Sequence, residues 1–89
     1  MSNAQKPIAK IQMFPLSSAI WRRQTEKGVF YSATFERSYR DDGGKWANTS
    51  TFNSADLLLL SKLADATESK IRELRAAERQ SEQPDEEAA

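Results

Sequence analysis

The chain has no cysteine and no histidine among its 89 residues. Without cysteine there are no disulfide staples, and without either residue the usual zinc ligands are missing. The same two absences remove the thiol nucleophile and the commonest general base. Long apolar runs are also lacking. The longest, Leu57-Leu58-Leu59-Leu60, has four residues, whereas a bilayer span needs roughly 20. The stretch Met1 to Pro7 carries no apolar segment of signal-peptide shape. Cysteine-free composition suits a reducing compartment. The expectation is a cytoplasmic protein that is not an enzyme, holds no metal or cofactor and does not enter a membrane.

The carboxylates do not restore a catalytic or metal reading. Asp41-Asp42 before Gly43-Gly44 lacks the spaced oxygen ligands and terminal Glu of a calcium loop, and reads as a hairpin turn. Ser61 and Lys62 are adjacent on a predicted helix, so their side chains diverge and form no dyad.

Net charge is zero, but the charges are segregated. From Lys6 to Lys45 eight basic residues face four acids; from Glu73 to Ala89 six acids face Arg75 and Arg79. A basic first half with an acidic end brings polyanions into consideration, while the zero total excludes coating nucleic acid by charge alone.

Period-two patterns mark four strands. Ile8 to Phe14 alternates and stops at Pro15, which has no ladder donor. Ser17 to Arg23 sets Ala19 and Trp21 on one face, read as the apolar one, against Ser18, Ile20 and Arg22. Val29 to Tyr39 is the clearest, with Val29, Tyr31, Ala33 and Phe35 opposing Ser32, Thr34, Glu36 and Ser38. Arg40-Asp41-Asp42-Gly43-Gly44 supplies a turn, and Lys45 to Phe52 is rich in residues that suit a pleated surface. Asn53 or Ser54 then caps a helix whose apolar stripe runs Leu57, Leu60, Ala64, Thr67, Ile71, Leu74, widened by Leu59 and Leu63. Arg75 to Ala89 is charged, contains Pro84 and is expected to fray.

The fold expected is α+β: a curled four-stranded antiparallel meander with one C-terminal amphipathic helix. Residues 1–7 read as a flexible N-terminus, 8–76 as a single β-β-β-β-α domain and 77–89 as an acidic, disordered tail. A domain this small buries only about 60–65% of the surface its unfolded chain exposes, so self-association into a homodimer is expected to support it.

Aromatic residues interleaved with cations point to single-stranded nucleic acid, whose phosphates meet basic side chains while bases stack on rings. Tyr31 and Phe35 belong by alternation to the core, and Trp21 is placed there with Ala19. The candidate binding residues are Arg22, Arg23, Arg37, Tyr39, Arg40, Lys45 and Trp46. Tyr39 and Trp46 flank the turn and are also placed to clasp across it. The other reading is a small protein-interaction module that offers a strand edge or its helix to a protein partner.

The residues Ile20-Trp21, Phe30-Tyr31-Ser32-Ala33-Thr34-Phe35, Arg37-Ser38-Tyr39, Trp46 and Asp56-Leu57-Leu58 resemble small uncharacterised bacterial proteins found with mobile elements. In element order the chain is also similar to the single-stranded-DNA-binding domains of a eukaryotic transcriptional coactivator and of Whirly proteins. That likeness implies a transcription or replication accessory and transfers no site residue.

Overall fold

The computed structural model describes residues 6–82. Strands β1 (Ala9–Met13), β2 (Leu16–Thr25), β3 (Gly28–Arg40) and β4 (Trp46–Thr49) form one antiparallel sheet in the order β1-β2-β3-β4. A single helical turn, Ser54–Asp56, leads into helix α1 (Leu57–Glu82). This is the expected α+β meander with one C-terminal helix.

The turns follow from their residues. Between β2 and β3 the chain reverses through Glu26 and Lys27, and Gly28 takes φ +132°, a value L side chains avoid. Between β3 and β4 the Asp41 carboxylate accepts from the backbone N–H of Gly43 (2.9 Å) and of Lys45 (3.0 Å), and Gly44 takes φ +82°. At the helix start the Asp56 carboxylate accepts from Asn53 N–H at 2.9 Å, satisfying a donor beside the helix N-terminus.

Register decides which residues are covered. Ile20 stands opposite Ala33 and Ser18 opposite Phe35, while β1 sets Ala9 against Ile20 and Met13 against Leu16. Opposite residues share a face, so Leu16, Ser18, Ile20 and Arg22 lie on the helix side. Leu16, Ile20 and Leu63 are the fully buried apolar side chains among the described residues. Ser18 and Thr67 are buried with them, their hydroxyl oxygens 2.7 Å apart. Thr67 gives its proton to the Leu63 carbonyl at 2.7 Å. Ser18 is therefore the donor to Thr67.

Four expectations change. Trp21 and Ala19 do not face the core. The strand begins at Leu16, so its even face gains a second large aliphatic residue, and Leu16 and Ile20 together take the inner face. The helix is buried along Leu60, Leu63, Thr67, Ile71, Leu74 and Glu78, with Leu63 and Thr67 at its centre; Leu57 and Ala64 are exposed. A line through Leu57 and Ala64 drifts off that stripe because 3.6 residues make a turn.

The helix also does not fray after Leu74. It continues to Glu82, so the expected domain end at residue 76 falls inside it; the remainder of the expected tail, 83–89, and most of the expected flexible N-terminus, 1–5, lie outside the described residues. Finally, the sheet is not strongly curled. α1 packs against β2 and β1, so among the described residues the other face of the sheet is open and most of β3 lies beside the helix rather than under it. No helix among the described residues is long and apolar enough to cross a membrane.

Candidate nucleic-acid interface

The face of the sheet turned away from α1 carries the outward residues of all four strands. From β1 come Lys10 and Gln12; from β2, Ser17, Ala19, Trp21 and Arg23; from β3, Phe30, Ser32, Thr34, Glu36, Ser38 and Arg40; from β4, Trp46 and Asn48. Among these strand residues the cations Lys10, Arg23 and Arg40 meet one acid, Glu36. The hydroxyl and amide groups lie between them. Ser38 donates to the Asn48 side-chain oxygen at 3.1 Å, and the Trp21 indole N–H donates to the Thr34 hydroxyl at 3.1 Å. That last bond holds the ring down along β3 with its edge satisfied.

Two aromatic sites result. At one end Arg23 stands opposite Phe30 and Trp21 opposite Ser32, which makes Trp21 and Phe30 diagonal neighbours about 7–8 Å apart. They line a shallow depression with Arg23, Ser32 and Thr34, and Phe30 is 49% exposed. At the other end Trp46, 58% exposed, meets Phe14 edge-to-face with ring centroids 5.8 Å apart and planes at 73°. The Arg40 guanidinium lies over the Trp46 ring, 5.0 Å from its centroid. The β3 partners of Trp21 and Trp46 are Ser32 and Arg40, so about 26 Å of strand separates the two sites. A polar trough lined by Lys10, Gln12, Trp21, Thr34, Glu36 and Asn48 lies on this face as well.

The structure divides the residues proposed from sequence. Arg23, Arg40, Lys45 and Trp46 are exposed, and all but the loop residue Lys45 belong to the open face. Arg22, Arg37 and Tyr39 are on the helix side. Arg22 grips Glu78 with two of its guanidinium nitrogens, Nε at 3.1 Å and Nη2 closer, and Tyr31 donates to the same carboxylate at 2.6 Å. Paired chiefly with Arg22 and then with Tyr31, the Glu78 carboxyl falls to about 2. The Tyr31 phenol is raised, first by its bond to Glu78. Arg37 donates to Thr51 O at 3.1 Å and pairs with Asp56 at 3.4 Å, tying the end of β3 to the helix start.

Tyr39 sits under that guanidinium, 5.8 Å from ring centroid to Arg37 Cζ. The expected Tyr39–Trp46 clasp does not form, because Tyr39 pairs with Ala47 and Trp46 with Arg40, which puts the two rings on opposite faces. Sequence reasoning missed Lys10, Trp21, Phe30 and Phe14. The alternation already placed Phe30 with Ser32 and Thr34, and that was the signal for it.

No family model, curated protein or solved structure matches the chain.

Proposed function

We propose that the open face of the sheet binds single-stranded nucleic acid, without catalysis, as an accessory to transcription or replication. Bases stack on Trp21 and Phe30 at one end and on Trp46 at the other, while Lys10, Arg23, Arg40 and the nearby Lys45 meet phosphates. The observation that supports this reading is the composition of one face left open among the described residues: two separated aromatic sites, three strand cations and, on the strands, a single opposing acid. The Ser, Thr, Asn and Gln groups between the rings suit sugar and phosphate oxygens. Arg22 and Arg37 take no part, since both are committed to carboxylates within the fold.

The test is a titration of a labelled single strand by fluorescence anisotropy at several salt concentrations. Four phosphate contacts give a slope of log affinity against log salt of about −3. A folded protein with no single-strand binding at micromolar concentration and low salt would hand the lead to the protein-interaction reading. That reading is favoured by exposed Leu57 and Leu58 at the helix start, the latter 71% exposed.

A further inference from the structure

β3 is longer than its neighbour. It runs Gly28–Arg40, yet β4 pairs with it only from Arg37 to Arg40. From Gly28 to Glu36 β3 has a strand on one side alone. The hydrogen-bond alternation shows which groups this leaves open. Ser38 N–H donates to Pro15 O on the β2 side, and Asp41 N–H donates to Lys45 O on the β4 side. Even residues of β3 thus bond toward β2 and odd residues toward the outer edge. The N–H and C=O groups of Val29, Tyr31, Ala33 and Phe35 point outward, and among the described residues no strand or turn pairs with them.

Exposed edges are ordinarily blunted by short length, Pro, Lys or a bulge. The β1 edge is guarded in this way: it is five residues long, carries Lys10 and lies between Pro7 and Pro15. The open part of β3 has no Pro and no Lys, and Glu36 at its end is its one charge. Its inner side chains, Val29, Tyr31, Ala33 and Phe35, are each half-buried, because α1 lies over β1 and β2.

We infer that this edge pairs antiparallel with the same edge of a second copy of the chain, about a two-fold axis at Ser32. The four outward-bonding residues are spaced evenly about that residue. Val29 then meets Phe35 of the partner subunit, and Tyr31 meets Ala33 of the partner subunit, each pair exchanging both of its hydrogen bonds. The pairing is self-complementary, as a two-fold interface requires. It satisfies every open group from Val29 to Phe35 and covers the half-buried row with its own symmetry mate. The product is one continuous eight-stranded sheet. The inference stands on the edge alone and does not depend on what the open face binds. If that face does bind a single strand, the two Trp21–Phe30 sites flank the axis and the platform doubles.

Because the chain has no cysteine, Ser32→Cys introduces one thiol. At the axis the two Ser32 residues form a non-hydrogen-bonded pair with Cα atoms about 4.5 Å apart, within the range of about 4.4–6.8 Å that a disulfide spans. Mild oxidation of Ser32→Cys should give covalent dimer far faster than Ser61→Cys, an exposed helix position used as control. Wild type should sediment as a dimer across the micromolar range. Ala33→Pro removes an outward N–H that β2 does not use, and should weaken association roughly 10–100-fold through the two lost bonds while the sheet signal in circular dichroism persists. Should Ala33→Pro fail to fold, the thiol comparison decides by itself. A monomeric wild type overturns the inference. So does a dimer in which Ser32→Cys cross-links no faster than Ser61→Cys.

Discussion

Ser18 on β2 donates its buried hydroxyl proton to Thr67 on α1 across 2.7 Å, and Thr67 passes its own to the Leu63 carbonyl. This relay ties the helix to the sheet at the centre of a core in which Leu16, Ile20 and Leu63 are the fully buried apolar side chains among the described residues. Thr67→Val keeps the shape but leaves the Ser18 hydroxyl without its acceptor, and should cost about 1–3 kcal/mol. Adding Ser18→Ala should recover part of that loss. Chemical denaturation of the two single variants and the double variant measures the coupling, and strict additivity would show that the two hydroxyls do not act together.

Leu63 and the exposed Leu58 at the helix start should respond very differently to truncation. Leu63, one turn further along, is fully buried, so Leu63→Ala should cost about 2–5 kcal/mol. Leu58→Ala, at a position mostly in solvent, should stay within about 0.5 kcal/mol. Thermal or urea melts of both variants check the helix rotation directly. The reverse order would place the wrong face of α1 on the sheet.

Glu78 binds Arg22 and Tyr31 across 56 and 47 residues of chain, which makes the distal helix part of the domain. Its carboxyl is depressed from the ordinary 4.5 to about 2 in the folded protein. A depressed acid contributes stability that is fully present above pH 4.5 and is lost as the pH falls toward 2. Wild type should therefore lose more stability than Glu78→Gln across that interval, while Glu78→Gln is the less stable of the two at neutral pH. Truncation after Ala77 should lower the melting temperature, whereas truncation after Arg79 should leave it nearly unchanged. Equal melting temperatures for the two truncations would make Glu78 a bystander.

On the open face, Trp21→Ala and Phe30→Ala should each weaken single-strand binding by about 1–3 kcal/mol, the range for a stacked base. Arg23→Ala combined with Arg40→Ala should weaken binding to all sequences alike and flatten the salt dependence. Arg37→Ala should leave the salt slope unchanged and lower stability instead, because its guanidinium holds Thr51 and Asp56. Anisotropy titrations and melting curves on the same preparations separate the two kinds of effect. An Arg37→Ala variant with a flattened slope and wild-type stability would return the interface to the helix side.

Much of the fold can be read locally. The alternation from Val29 to Tyr39, the Asp-Gly-Gly turn and the amphipathic run after Asn53 each depend on residues close in sequence, and the meander with its C-terminal helix follows from them. The site was legible in part. Arg23, Arg40 and Trp46 stand out as candidates in the sequence because they flank turns and strands in a recognisable mixture of rings and cations, and the structure puts all three on the open face. Trp21 was assigned to the core because a strand started at Ser17 omits Leu16, and without Leu16 the even face looks the more polar. Glu78 looked like tail, since a glutamate among charges gives no local sign of a partner on β2.

Local backbone preference and side-chain periodicity thus determined the elements, their order and the two-sided character of the sheet. The tertiary structure decided which side of β2 is inside, how far the helix belongs to the domain and which arginines on the strands are tied to carboxylates. Those outcomes depend on cross-strand register and on where α1 lies over β1 and β2. Both are set by burying Leu16, Ile20 and Leu63 together, residues that no local window of sequence contains.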